Sequence, residues 1–347
     1  MLIPISLTST NDIVAETEAE NVGFESLGLT EAKIEEFLRK NVRLLFDEEE
    51  DDETLLIVGQ QVVNLKGARN DLVALDGSGN LVLIEVKRDA TDMASRTEAM
   101  EFQAVRYAAS LATIATVDDL VERVFARYIR KWEHEFDLRD LTPEEIGKRI
   151  VNSFLSKNNA AKSFNKRQRI LLVSSTFDEQ TLSAAAWMSA NGIDISCISL
   201  NPIRAGGNNG PLYLAAERLI PAKKIEDFYV EFRERPEGAG ESVSAADTKK
   251  ARTNLPRMSK LMEWGIVAPG MRLSLKGFAD SEATVKDAKS VEFAGETMSF
   301  NEWGTKVTGW SAICIYDWAV TPRGETLAAL RAAMMEEAAK INIYHPR

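Results

Sequence analysis

Cysteine and histidine are nearly absent from this chain of 347 residues, which holds two of each: Cys197 and Cys314, His134 and His345. The cysteines stand far apart inside apolar runs, Asp-Ile-Ser-Cys-Ile-Ser and Ser-Ala-Ile-Cys-Ile-Tyr, so they read as buried thiols and exclude a disulfide framework. So few soft ligands leave no zinc constellation. Missing too is an apolar run of membrane-spanning length, and residues 1–20 lack a basic start followed by an apolar block. A cytoplasmic protein with no membrane association is therefore expected. Basic charge is in deficit, 42 Lys and Arg against 53 Asp and Glu, and the formal net charge of -11 argues against wholesale attraction to nucleic acid. A local basic surface is still compatible with that balance.

The chain is long enough for two or three domains with cores of their own, and 45% hydrophobic with 27% charged residues is ordinary for a globular protein. Much of the acidic excess comes from the uninterrupted acidic run 47–53, expected to be a solvated loop without chemistry.

The informative stretch is 67–88. Two apolar runs, 72–75 and 81–86, flank the turn Asp-Gly-Ser-Gly-Asn at 76–80 and predict a β-hairpin. Asp71 opens the first strand, and Glu85 and Lys87, two apart in the second, share a face by the period of two. Charge beside a buried strand is costly unless paired. Two carboxylates and an ammonium converging there suggest a hard divalent cation held by oxygen, with the lysine alongside. The plain alternative is an exposed Glu and Lys on a solvated strand.

Around the hairpin, residues 1–22 read as a loose arm or edge strand. A helix follows Thr30 with the apolar stripe Ile34, Phe37, Leu38, Leu44 and Leu45 and with Glu35 and Glu36 on it. Residues 55–58 and 60–65 form one bent strand or two. A helix over 96–112 carries Gln103 and Tyr107 on one face. The charged helical region 117–163 reads as an insertion and ends in a basic cluster that includes Lys166 and Arg167, either a solvated helix end or a phosphate contact. Strand 169–175, helix 178–190 and strand 193–200 make a βαβ crossover, so the sheet is mixed and flanked by helices. A Pro-, Gly- and Ser-rich break near 236–254 marks a linker, and a second, small α+β domain with four tryptophans and a final amphipathic helix at 325–340 follows.

Helix, three strands with Asp71 and Glu85-Val86-Lys87, then a helix with Gln103 and Tyr107, resembles the PD-(D/E)xK nuclease superfamily over roughly 24–235. Gln-Gln-Val (60–62), Arg-Asn-Asp-Leu-Val-Ala-Leu-Asp (69–76), Leu-Val-Leu-Ile-Glu-Val-Lys-Arg (81–88) and Gln-Ala-Val-Arg-Tyr (103–107) look like its NucS-type and Holliday-junction-resolvase-like branch. The resemblance implies an α/β fold with a mixed, restriction-endonuclease-like central sheet and a DNA endonuclease of repair or restriction-type defence. It implies that Asp71, Glu85 and the Val86 carbonyl hold Mg²⁺ or Mn²⁺, that Lys87 assists, and that Glu35, or its neighbour Glu36, completes the site. Tyr107, with Gln103, would support the site or touch the DNA backbone, and Arg69, Arg88, Lys166 and Arg167 are candidate DNA contacts. Asn70 stands where the family often has proline.

Residues 261–270, 291–300 and 307–318 resemble the RAMA domain found beside restriction enzymes and methylases, which implies DNA binding that senses modified bases. Trp310, next to Gly309 in an apparent turn, is the residue expected to be exposed and to stack on a base. A homodimer would suit cleavage of both strands. The rival expectation is a noncatalytic DNA-binding or regulatory protein that keeps a nuclease fold.

Overall fold

The structure is a computed structural model that describes residues 5–7, 13–15, 20–46, 53–63, 69–89, 98–205, 210–221 and 256–344. The expected linker at 236–254 and most of the acidic run lie outside them. Strands β1 (Ile5–Leu7) and β2 (Ile13–Ala15) pair with each other, and β3 (Glu20–Asn21) joins the central sheet. Next come α1 (Glu31–Asn41), β4 (Leu55–Val63), β5 (Arg69–Asp76), β6 (Leu81–Lys87) and α2 (Met100–Leu111).

The hairpin forms because Asp76 organises its own turn, its Oδ1 accepting from the amides of Ser78 and Asn80, while Gly79 supplies a φ of 88°. Every residue from Asn70 to Asp76 and from Leu81 to Val86 is buried, the mark of strands covered on both faces. Strand β6 then runs parallel to β7 (Gln168–Ser174), and β7 runs parallel to β8 (Asp194–Arg204) across the helix Glu179–Ala190. Strand β9 (Leu212–Ile220) returns antiparallel to β8. The central sheet has seven strands. It is mixed and has helices packed on it, as the sequence predicted.

The expected insertion is helical. Val117–Leu120 leads through a π turn, Val121–Phe125, into Ala126–Lys131, and Pro143–Lys157 follows with a Thr142 and Glu145 capping box. Among the described residues no helix is long and apolar enough to cross a membrane.

The C-terminal part has its own five-stranded antiparallel sheet, in which β10 (Arg272–Leu275), β11 (Ala283–Val285), β12 (Ser290–Phe293), β13 (Glu296–Ser299) and β14 (Ala319–Val320) take the order β13-β12-β11-β10-β14. Strand β4 ends the central sheet's path and would expose unpaired amides there. The C-terminal part covers its start. Leu55 and Ala312 exchange backbone hydrogen bonds of 3.1 Å, the Ile57 amide donates to Ser311 Oγ at 3.0 Å, and the Cys314 amide donates to Thr54 Oγ1 at 3.1 Å.

Trp310 closes the contact from the apolar side, which corrects its expected exposure. It is buried, with ring centroids 5.1 Å from Phe154 of the insertion, 5.7 Å from Phe278 and 4.9 Å from Trp318, all edge to face. Burying this aromatic area outweighs leaving the ring in water for a base. Trp310→Ala is expected to cost about 3–5 kcal/mol in chemical denaturation. A loss below about 1 kcal/mol would contradict this packing.

Candidate active site

The site lies where β5 begins and β6 ends. The ladder pair Leu72 and Ile84 places Asp71 opposite Glu85, one residue further on, and both side chains on the same face. Both carboxylates are buried, 5% and 1% exposed. The backbone amide of Val86 donates to Asp71 Oδ2 at 2.8 Å. Lys87 Nζ stands 3.5 Å from Glu85 Oε1, 3.3 Å from Glu31 Oε1 and 3.1 Å from the Val86 carbonyl oxygen. The solvated-strand alternative is thereby excluded for Glu85. From β6 itself, Lys87 and the Val86 amide serve the two buried carboxylates.

Helix α1 contributes the third buried carboxylate. Thr30 caps it through the Lys33 amide at 3.3 Å, and its inner face carries Ile34, Glu35 and Leu38. Glu35 is 2% exposed and accepts a hydrogen bond from Gln61 Nε2. Glu36 faces another way: its two oxygens take Arg39 Nε and Nη2, each at 2.9 Å. Arg39 is itself stacked 3.8 Å over Trp132 and bound to Glu135 and the Tyr128 hydroxyl. Of the two neighbours, therefore, Glu35 joins the site and Glu36 ties α1 to the insertion.

Sequence reasoning missed two members of the cluster. Glu31, four residues before Glu35 and so on its helical face, reaches Lys87. Gln61 donates through one nitrogen to Glu35 Oε2 at 2.5 Å and to Asp71 Oδ1 at 3.2 Å. It sits between the ladder pairs Gln60 with Leu72 and Val62 with Asn70, at φ 51°, a left-handed conformation for a residue with a side chain. Such strain costs on the order of 1 kcal/mol or more and persists only where its surroundings enforce it. The nearby Gly59 is enforced in turn, since a Cβ there would meet Val62 at 2.6 Å and Val124 at 2.8 Å. The visible signal was a pair of glutamines interrupting an apolar strand.

Burial pushes the Asp71 carboxyl up to about 7, with Lys87 and the Val86 amide opposing. Burial and then the charge of Asp71 push Glu85 up to about 8, again opposed by Lys87. Glu35 is raised by burial, against the donation from Gln61 and Gln60. Lys87 is raised, since the facing carboxylates outweigh its burial. The cluster carries more carboxylate than its single ammonium can neutralise.

The donor set is all oxygen, the preference of Mg²⁺ or Mn²⁺, and Glu35 Oε1 and Glu85 Oε2 are buried without a hydrogen-bond partner. A hard cation suits both observations. Among the described residues no three His, Cys, Asp or Glu side chains are grouped closely enough to hold a metal.

Other expected site residues fall elsewhere. Gln103 donates to the Tyr107 hydroxyl at 2.9 Å, and among the described residues no hydrogen bond links it to Asp71, Glu85 or Lys87. Tyr107 is 4% exposed, in the core, which corrects its assignment as a DNA contact. Lys166 and Arg167 are exposed but precede β7, whose Gln168 pairs with Leu81; they stand roughly 20 Å of strand from Lys87, at the hairpin-turn end. Asn165 ties this segment to the hairpin turn, its amide donating to the Gly79 carbonyl, and to the end of α2, its side chain donating to the carbonyls of Leu111 and Ile114. Glu53, the described end of the acidic run, is bound through both oxygens to Arg169, which corrects the expectation of a wholly solvated loop. Arg69 is exposed and Arg88 half-buried, both at the Lys87 end.

Fold and site together define an α/β protein whose mixed sheet carries a buried cluster of carboxylates and one lysine at the C-terminal end of β6. Comparison with protein families, with curated proteins and with solved structures finds no match to this chain.

Proposed function

We propose that the chain is a metal-dependent DNA endonuclease of the PD-(D/E)xK type, with a restriction-endonuclease-like larger domain and a RAMA-like C-terminal domain for recognising DNA, serving repair or restriction-type defence. The observation that carries this reading is the Asp71, Glu85 and Lys87 cluster on adjacent strands, with Glu35 brought in by α1. Asp71, Glu85 and the Val86 carbonyl are the oxygens that would hold Mg²⁺ or Mn²⁺. Such a cation supplies Lewis acidity to a phosphodiester and an acidified water for its hydrolysis.

The chain's own groups account for the remainder. The Val86 amide fixes one oxygen of Asp71 and leaves the carboxylate aimed into the site. Lys87, held against Glu85, is placed to offset negative charge developing on the phosphate and to orient the attacking water. Arg69 and Arg88, at the same end of the sheet, are suited to backbone phosphates of a DNA strand. Cutting both strands would use a homodimer.

The grouping of fewer than three metal-ready side chains favours a second reading, a noncatalytic DNA-binding protein. A panel of plain, modified, mismatched and branched DNAs incubated with Mn²⁺ separates the two. Cleavage of at least one member in Mn²⁺ and of none in EDTA is expected. Salt-dependent binding with no cleavage of any member would favour the second reading.

A further inference from the structure

We propose that Gln61 is the positioning residue of this site, the side chain that draws the α1 carboxylate and the β5 carboxylate together so that they can take a divalent cation. The inference rests on the metal-dependent reading above and adds to it a residue outside the Asp71, Glu85 and Lys87 set.

Three observations carry it. The Gln61 amide nitrogen has two hydrogens, and they are placed to go to two different elements, one to Glu35 Oε2 on α1 and one to Asp71 Oδ1 on β5. The Gln61 side chain donates to both carboxylates, while Glu35 Oε1 is buried without a hydrogen-bond partner. The backbone is bent to make the bridge: Gln61 adopts φ 51° between two regular ladder pairs. An ordinary strand conformation would be less strained, so the observed outlier marks a side chain whose aim matters.

Its neighbour anchors it from behind. Gln60 Oε1 accepts from Lys131 Nζ at 2.8 Å and from Trp132 Nε1 at 3.2 Å, so the insertion holds β4 at the residue before the bridge. The strand can therefore keep its bend when the amide's partners change. An amide suits the role better than a charged group. It donates to both carboxylates while adding no charge, and its geometry leaves Asp71 Oδ2 to the Val86 amide. Groups that orient ligands in this way commonly set metal affinity by tenfold to a hundredfold.

Gln61→Met keeps the length and removes the donors, and Gln61→Gly removes the side chain while relieving the left-handed strain. Both are measured by calorimetric titration with Mn²⁺ on the full chain, beside wild type and Glu85→Gln, with circular dichroism to verify the fold. Wild type is expected to bind Mn²⁺, Glu85→Gln to lose binding, and both Gln61 variants to bind at least tenfold more weakly. If wild type binds and Glu85→Gln does not, yet Gln61→Met matches wild type, the side chain only fills space and the positioning role falls while the site reading stands. Should one variant fail to fold, the other decides. If wild type itself binds no Mn²⁺, the metal-dependent reading falls and takes this role with it.

Discussion

Glu85→Gln is expected to lose Mn²⁺-dependent DNA cleavage by about a thousandfold while folding as well as the wild type. The size follows from removing a ligand that supports several kcal/mol of transition-state stabilisation, at roughly tenfold per 1.4 kcal/mol. The intact fold follows from burial. Glu85 is 1% exposed and strongly biased toward its protonated form, so a neutral amide of the same shape replaces what the cation-free site already holds. Asp71→Asn is a harsher change, because both Asp71 oxygens accept hydrogen bonds, from Val86 and Gln61, and an amide can accept through only one atom. Lys87→Ala is expected to lose about a hundredfold to a thousandfold, the scale of deleting one donor to developing charge. Single-turnover cleavage rates at saturating Mn²⁺ measure all three. Residual activity equal to wild type in Glu85→Gln and Lys87→Ala would remove the cluster from the chemistry.

Raising the pH from 5 to 8 in EDTA is expected to lower the melting temperature by several degrees. Asp71 and Glu85 have folded-state pKa values raised above those of the unfolded chain, to about 7 and about 8. In the unfolded chain they release their protons near 4. Between those limits the folded protein binds more protons than the unfolded one, so stability is full below the unfolded values and drains away as pH rises through the folded ones. Glu35 and Asp76, also raised by burial, act in the same direction. Glu85→Gln removes one of these titrations and should show a shallower fall. Mn²⁺, by binding the ionised carboxylates of the folded state, should restore stability most at the alkaline end. Differential scanning calorimetry across that range gives the result; a flat profile for wild type in EDTA would show that the cluster is ionised without cost.

The hairpin was legible because its signals are local. Turn chemistry at 76–80 and the period of two suffice to put Asp71, Glu85 and Lys87 on one face, and the ladder pairing agrees. The α1 cap at Thr30, the βαβ crossover and the helical insertion were legible for the same reason. Trp310 was misread because a Gly-Trp turn looks the same in sequence whether it faces water or another domain. Where the basic pair Lys166 and Arg167 lies was not legible, because composition records a basic cluster but not which end of a sheet it occupies. The choice between Glu35 and Glu36 turned on Arg39, whose partners lie about a hundred residues away in the insertion.

By itself the sequence determined the mixed α/β architecture, the hairpin and the facing pair of carboxylates with their lysine, since short-range backbone preferences and side-chain period dictate all three. Only the tertiary structure decided that Glu35 is the third carboxylate, that a strained Gln61 bridges it to Asp71, and that the backbone around Ala312 covers the start of β4 while Trp310 is buried beside it. Those outcomes depend on which distant segments meet, and the cost of burying charge at the meeting point distinguishes side chains the sequence leaves equivalent.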